Sequence, residues 1–580
     1  MFDSCELILS TSSWKTLLGL NKQDKRLIMT ISNYQDFYDS FTPALIEEKL
    51  VGSLKEGFNV CEEICDRWAE NPDRVALNYE GVTREASSHT FAEMQQRAAQ
   101  FANLLKSKGI GKGDRVACLM PRTPELLVVV LGTLKAGAVY QPLFTAFGAG
   151  AIEYRVTQAE TKLLVTDPDN VSKLDSVNGC PPVLLFNRGI ADAKYADLPD
   201  FEAELAAQSS DFEPVKIGAD DPFLQMFTSG TVGKAKGVAV PARALLSFYV
   251  YMRYAVGLLP EDSYWNVADP GWAYGLYYAV VGPLLLGNTT HFNENAFTPE
   301  TTYGMLRKYK ITNLAAAPTA YRLLMANDHI LEGDDSFNLR LASSAGESLN
   351  PEVIGWVERR LGCPVMDHYG QTETGMTACN HHELEQRIVR VGSMGFSMPG
   401  HRIVTLDNDL NELGEGEIGE LAVDMEKSPL FFFPGYTWGE KNPFRGKYYL
   451  TGDVVVSHGD GSHSFNGRDD DIITTAGYRV GPSDVESTLL EHDAVAESGV
   501  IGKPDLERGA IIKAYVVLKS QYEPSDELAA ELKTHVRNRL STHAFPREIE
   551  FMEELPKTPS GKIQRFILRN KAKDETDGLA

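Results

Sequence analysis

The chain has 580 residues, too many for one compact core, since single cores stop growing beyond roughly 250–300 residues. With 43% hydrophobic and 23% charged residues the composition is that of a globular protein, which excludes collagen, coiled coil and wholesale disorder. A formal net charge of −24 would repel a polyanion, so nucleic acid is excluded as the main partner unless basic residues gather locally.

The seven cysteines are scattered and odd in number, and they suggest no disulfide framework. Cys61 and Cys65 stand one helical turn apart without the second pair that a structural zinc site needs, and they read as two small buried side chains on one helix face. Asp3 and Glu6 stand where a secretory leader would be basic. The longest charge-free stretch, residues 270–293, is broken by four glycines and Pro283, and its apolar heart, 276–286, is too short for a bilayer. It reads as a buried segment. Together these features predict a cytoplasmic protein with no membrane span.

In chain order, residues 1–30 show no clear period and are set aside as part of an N-terminal extension, 1–57. The pattern then predicts a helix over 59–70, a strand over 75–79 and a helix over 90–108 that Gly109 ends. A strand at 115–119, a helix at 123–135 and a strand at 138–142 give the βαβ rhythm of a parallel sheet, with further short buried strands at 163–166 and 183–186. After an acidic linker, 211–221, the alternation resumes with a helix over 244–257 and an extended segment over 262–268. Turn signals at Asp407-Asn408, Gly414, Gly416 and Asp460-Gly461 split 400–467 into a small β unit. From 471, strands at 498–501 and 514–519 alternate with helices at 484–492 and 527–540, a segment the size of a small domain.

Two apparent motifs are set aside. Gly414, Gly416 and Gly419 satisfy G-x-G-x-x-G, but Glu415 and Glu417 would face a pyrophosphate and a strand follows, so this is a turn. His381 and His382 are adjacent and lack the second His of a zinc helix, which predicts a surface pair.

The chemistry begins at an apolar run, 223–227, that leads into Thr228-Ser229-Gly230-Thr231-Val232-Gly233-Lys234-Ala235-Lys236-Gly237 before another apolar run. Glycines let backbone N–H groups converge, hydroxyls donate hydrogen bonds and lysines supply charge, which together suit a polyphosphate. The Walker pattern is not met, and a loop of this composition alone is more often a surface turn.

The full string, however, resembles the phosphate loop of the acyl-adenylate-forming superfamily, in its acyl-CoA synthetase branch, and further matches follow in order. Gly346-Glu347-Ser348 resembles the adenine-contacting segment, and Asp367 and His368 precede Tyr369-Gly370-Gln371-Thr372-Glu373-Thr374-Gly375, which resembles the most diagnostic string. Tyr449 to Asp453 resembles the ribose-binding turn, Gly467 to Asp471 with Gly477-Tyr478-Arg479 the hinge and its sequel, and Pro556 to Lys562 the catalytic-lysine loop. Departures are Val232 for a hydroxyl residue, Ala235 for a proline and Ser348 for a proline.

The resemblance implies an α/β protein. Its large N-terminal domain would hold two doubly wound α/β subdomains, 58–220 and 221–399, and a small β-barrel, 400–468. A hinge at 469–470 would lead to a small mobile α+β cap, 471–580. It implies an ATP-dependent carboxylic acid:CoA ligase that forms an acyl-adenylate and then a thioester, with Mg²⁺ accompanying ATP and coenzyme A as co-substrate. On that reading Lys562 bridges the carboxylate and the α-phosphate, Thr228 to Lys236 hold the β- and γ-phosphates, and Thr372 reaches the α-phosphate. Glu373 binds Mg²⁺, Gly346 to Ser348 and His368 flank the nucleotide, Asp367 accepts from the adenine amino group, Tyr369 stacks on the purine and Gln371 lies beside it. Asp453 takes the ribose hydroxyls with Arg468 as a donor, Asp470 is the hinge, and Gly477, Tyr478 and Arg479 face the site when coenzyme A attacks, Arg479 also serving the nucleotide. Trp272, Tyr274 and Gly370 would line the acyl pocket. In relatives confined to acetate a tryptophan stands at the place of Gly370, so glycine implies a larger acid: short- or medium-chain, branched or aryl. Lys234, Lys236, Arg468, Arg479 and Lys562 would concentrate positive charge locally within an acidic chain. The alternatives are an adenylate-forming enzyme with another acceptor, or a nucleotide-dependent phosphotransferase or sensor.

Overall fold

A computed structural model describes residues 34–189, 192–228, 235–331, 336–381, 390–438, 442–468, 471–475, 478–505, 509–540, 544–557 and 562–577. Strand Arg115–Leu119 lies inside a six-stranded sheet between Leu163–Thr166 and Val139–Pro142, with Val183–Leu185 beyond the first. Beyond Val139–Pro142 come Pro222–Phe227 and, antiparallel to it, Gly237–Pro241. Thr123 caps helix Pro124–Lys135 by accepting from Leu126 N, and the helix is buried along its whole length. Thr90 and Glu93 form a capping box at the start of Phe91–Ser107.

The second six-stranded sheet runs Tyr264–Asn266, Asn313–Ala316, Leu341–Ala345 and Val365–Gln371 in parallel, then Gly375–Cys379 and Phe396–Ser397 antiparallel. A three-stranded sheet joins the two halves: Val75–Glu80 pairs in parallel with Thr290–Asn293 and antiparallel with Ser87–Thr90. Residues 276–285 are buried, as the charge-free stretch predicts. Among the described residues no helix is long and apolar enough to cross a membrane.

Three expectations are corrected. The helix over 59–70 is only Val60–Ile64; the backbone breaks at Cys65 (φ −139°, ψ −64°) into a 3₁₀ turn, Asp66–Trp68, which turns the Asp66 carboxylate onto the buried Lys135 ammonium. Cys61 and Cys65 are both buried, as expected. The small β unit is not a closed barrel among the described residues. Tyr448–Ser457 pairs on one side with Ile418–Asp424 and on the other with Phe444–Arg445 and His463–Arg468, while Ile403–Leu406 pairs with Ile418–Asp424 and with no other strand of the sheet among the described residues. Its outer edge is met locally, Ile403 N donating to Ser397 Oγ, Leu413 N to Thr405 O and Leu406 bridging Glu412. His381 is not a surface residue: it is buried, with Nδ1 3.1 Å from the Tyr254 carbonyl, and His382 lies outside the described residues. Gly414 is a turn as expected, its N–H donating to Glu417 Oε2.

The C-terminal part holds the hairpin Ile473–Thr475 and Tyr478–Val480 and a sheet of Val495–Asp505, Gly509–Leu518 and Glu548–Phe551. Helices Pro482–Leu490, Asp526–Arg539 and Arg565–Asp577 accompany them.

Candidate active site

Open α/β sheets present ligands beyond the carboxyl ends of their parallel strands, and two such ends build the first wall. Leu341–Ala345 runs into Gly346, whose φ of +106° only glycine adopts cheaply and at which a Cβ would meet nothing within 4 Å. This leaves an open, exposed face. Glu347 is paired to Arg322 Nη2 at 2.6 Å, and Ser348 Oγ is buried without a hydrogen-bond partner.

The neighbouring strand, Val365–Gln371, sends alternate side chains to opposite faces. Tyr369 and Gln371 share one face and converge on Asp453 Oδ2, at 2.5 Å from the Tyr369 hydroxyl and 2.8 Å from Gln371 Nε2. Tyr449 OH fixes Gln371 by donating to Oε1 at 2.8 Å, and Gln371 Nε2 also reaches the Thr451 carbonyl at 2.9 Å. Arg468, paired in register with Asp453, brings Nε to 3.3 Å from Oδ1. Burial, and next the Asp453 charge, push the Tyr369 phenol well above its ordinary value, so it stays a donor.

Two nucleotide-side expectations change. His368 points to the opposite face from Tyr369: Nδ1 lies 3.0 Å from Tyr251 OH and Nε2 3.0 Å from the Asn380 carbonyl, and burial lowers it to about 3. It is a neutral core histidine behind the wall. Asp367 turns inward, Oδ2 accepting from Leu349 N and Oδ1 from His368 N, both at 3.1 Å. Its carboxyl, raised to about 8 by burial, braces the 346–349 turn instead of reaching out for an adenine.

The second wall flanks the phosphate loop. Ser229, Gly230, Thr231, Gly233 and Lys234 lie outside the described residues; Thr228 and Ala235 are the described ends, and Thr228 N donates to Lys236 O at 3.0 Å. Thr228 Oγ1 is buried without a partner. Tyr154 OH donates to Ala235 O at 2.9 Å, and Phe227 stacks on Trp438 at 5.5 Å with planes 7° apart. Lys236 Nζ sits 4.1 Å above the Tyr436 ring, and Tyr436 OH donates to Glu373 Oε1 at 2.7 Å. Glu373 is buried, and the Thr372 carbonyl accepts from Tyr277 OH at 3.0 Å. Lys236, Tyr436 and Glu373 therefore form one line from the loop to the 369–375 segment.

On the acyl side, Trp272 forms a half-buried aromatic cluster with Phe144 (5.4 Å) and Phe147 (5.5 Å), its Nε1 lacking a partner. Tyr274 packs edge-on to Tyr278 at 5.8 Å. Gly370 lies at a close backbone approach. A Cβ there would lie 2.2 Å from the Gly375 carbonyl oxygen and 2.7 Å from Met376 Cα, at a register shift of the Val365–Gln371 and Gly375–Cys379 pair. That approach is itself a reason for glycine at this position.

Lys562 is exposed, at the end of a loop whose base is closed by the Lys557–Ile563 bridge and by Gln564 N donating to Pro556 O at 2.8 Å. Asp470 and Gly477 lie outside the described residues, and Tyr478 and Arg479 are described as backbone only, in Tyr478–Val480. Sequence reasoning passed over Tyr154, Tyr436 and Trp438. The aromatic-dense run Phe431-Phe432-Phe433-Pro434-Gly435-Tyr436-Thr437-Trp438 was the available signal for two of them.

Known proteins resemble this chain along most of its length. The AMP-binding enzyme family matches residues 65–436, and the AMP-binding enzyme C-terminal domain matches residues 484–562. The acetyl-coenzyme A synthetase of Bacillus subtilis (strain 168) is 37% identical over 558 residues, covering 93% of this chain and 95% of that protein. The crystal structure of an acyl-CoA synthetase from Brucella canis is 49% identical, with a TM-score of 0.75 over 94% of this chain and 99% of that one. A benzoate CoA ligase from Burkholderia xenovorans LB400 is 26% identical, with a TM-score of 0.78 over 88% and 100% of the two chains. The chain thus belongs to the AMP-binding enzyme family and is an AMP-forming acyl-CoA ligase that uses ATP, a carboxylic acid and coenzyme A through an acyl-adenylate.

Proposed function

We propose that the nucleotide lies across the Gly346 turn, with its ribose hydroxyls on Asp453 and its phosphates toward the loop that starts at Thr228. The observation that carries this reading is the convergence of Tyr369, Gln371 and Arg468 on one carboxylate. Two hydroxyls of a ribose can replace the hydroxyl and amide that now occupy Asp453 Oδ2, since both are hydrogen-bond donors to the same acceptor. Mg²⁺ accompanies ATP, and Glu373 would hold it: the Tyr436 hydrogen bond orients a carboxylate whose hard oxygens suit that ion, which supplies charge neutralisation at the phosphates.

In the first step a carboxylate oxygen attacks the α-phosphorus, and the bond to the bridging oxygen breaks to release pyrophosphate. Lys562 supplies the positive charge between the two anions, with Thr372 at the α-phosphate. In the second, the coenzyme A thiolate attacks the acyl carbonyl, a C–S bond forms and AMP leaves with the electron pair. Asp470 is the hinge between the two steps, and Gly477, Tyr478 and Arg479 serve the second. The half-buried Trp272, Phe144 and Phe147 cluster supports an acid with an apolar body larger than acetate. Free thiols among the described cysteines support a cytoplasmic setting.

The test is pyrophosphate release across acetate, propionate, butyrate, hexanoate and benzoate, with and without coenzyme A. Release should depend on the acid, and kcat/KM should be lowest for acetate. Highest kcat/KM on acetate would overturn the acid assignment, and ADP as the product would overturn the adenylate.

A further inference from the structure

The segment that leaves the hinge re-enters the described chain at Asp471, whose N–H and that of Ile472 both donate to Arg468 O, at 2.9 and 3.0 Å. Its side chain, 8% exposed, is turned away from solvent onto helix Arg565–Asp577. There Arg569 Nη1 donates to Oδ1, and Arg565 Nη1 lies 3.6 Å from Oδ2. The two arginines are four residues apart, so they stand on one helix face and straddle a single carboxylate. Arg565 has a second partner: Nη2 reaches both oxygens of Glu486, at 2.8 and 2.7 Å, and Glu486 Oε1 accepts from Val500 N at 2.8 Å. The helix is thereby tied both to the hinge-side residue and to the central sheet of the C-terminal part.

What precedes that helix gives the tie its meaning. Arg565 follows Lys562 by three residues, and the loop between Lys557 and Ile563 is closed at its base. On the other side, Arg468 leads back to Asp453 across 3.3 Å. A path of contacts therefore runs from the ribose-side carboxylate to the helix behind Lys562: an ion pair from Asp453 to Arg468, backbone hydrogen bonds from Asp471 and Ile472 to the Arg468 carbonyl, and ion pairs from Asp471 to Arg565 and Arg569. An ion pair sheltered from water and held by several donors fixes geometry far better than an exposed one.

We propose that Asp471, gripped by Arg565 and Arg569, is a positioning device for Lys562: it locks the exit of the hinge to the helix that begins three residues after Lys562, so that a turn at the hinge carries Lys562 as one rigid body. This rests on the reading of Lys562 and Asp470 given above. The consequence is selective. The tie serves the step that needs Lys562, whereas the hairpin Ile473–Thr475 and Tyr478–Val480 is held by its own ladder and does not need Arg569.

The test measures both half-reactions of the full chain, with the acid turned over fastest in the panel and its adenylate. Arg569→Gln should lower pyrophosphate release at least tenfold, with thioester formation from supplied adenylate changed less than twofold. Arg569→Lys, which keeps the charge, should restore most of the loss, a rescue that mere helix stabilisation would not give. Asp471→Asn should show the same bias. Equal losses in both half-reactions, or unchanged pyrophosphate release in Arg569→Gln, would overturn the tie. Lys562→Ala is run in parallel. If it leaves pyrophosphate release intact, the assignment of Lys562 falls and this inference with it; if it abolishes release while Arg569→Gln shows no bias, the inference alone falls.

Discussion

The wall around Asp453 and the loop around Lys562 are held in opposite ways. Asp453 is buried among Tyr369, Gln371, Tyr449 and Arg468, each contributed by a strand and each satisfied by a neighbour. Lys562 is exposed, beside the Lys557–Ile563 bridge and just ahead of a helix that carries Arg565 and Arg569. The difference separates two tasks. On the proposed reading, the nucleotide is recognised by groups set before it arrives, while the charge that drives bond formation is delivered from a second unit that withdraws for the thiol.

If the wall is preorganised, breaking it should cost binding more than chemistry. Asp453→Ala removes the common acceptor and leaves Arg468 and Tyr369 without their partner. With hydrogen bonds to a charged group worth about 1.5–3 kcal/mol each, KM for ATP should rise roughly 10²-fold with a smaller change in kcat, read by steady-state kinetics. Gly370→Ala attacks the same wall by crowding. A Cβ 2.2 Å from the Gly375 oxygen forces the strands apart, and overpacking of about 1–3 kcal/mol should appear as a lowered thermal midpoint. Tyr436→Phe sharpens the comparison by deleting one hydrogen bond to Glu373; at about 0.5–1.5 kcal/mol, kcat/KM for ATP should fall roughly two- to tenfold with the fold intact by circular dichroism.

The junction between the two units offers the smallest effect. Asn466 Nδ2 donates to Asp484 Oδ2 at 3.0 Å, and burial raises the Asp484 carboxyl to about 6. A carboxyl raised on folding binds its proton more tightly in the folded state, so its contribution is fully present below about 4, its ordinary range, and is lost as pH rises through 6. Thermal midpoints of the wild type relative to Asp484→Asn should therefore decline between pH 4 and pH 6.5; a flat difference would contradict the assignment.

Much of this was legible in the residues. Strands at 115–119 and 163–166 and the helix beginning after Thr123 stand where periodicity and capping put them, because their burial is local and regular. The string around Tyr369 lies on the strand Val365–Gln371 that reaches Asp453. What failed was direction. Strand alternation sends His368 to the face opposite Tyr369 and Gln371, a rule available from the sequence once a strand is assumed. The inward turn of Asp367 depends on the Leu349 N–H, 18 residues away, and Gly370 on the Gly375 carbonyl across a register shift, neither of which a one-dimensional pattern carries. The open edge of the small β sheet is likewise met by the Ser397 hydroxyl and by the chain at Glu412 and Leu413, a meeting that no turn signal announces.

The central claim is that recognition and bond-forming charge reside on different units, and measuring the two half-reactions of Lys562→Ala tests it most directly. The account predicts that pyrophosphate release from ATP and acid falls by about 10²–10³-fold while thioester formation from supplied adenylate stays within a few fold of wild type. Equal loss of both half-reactions, or a release rate that is unchanged, would contradict it.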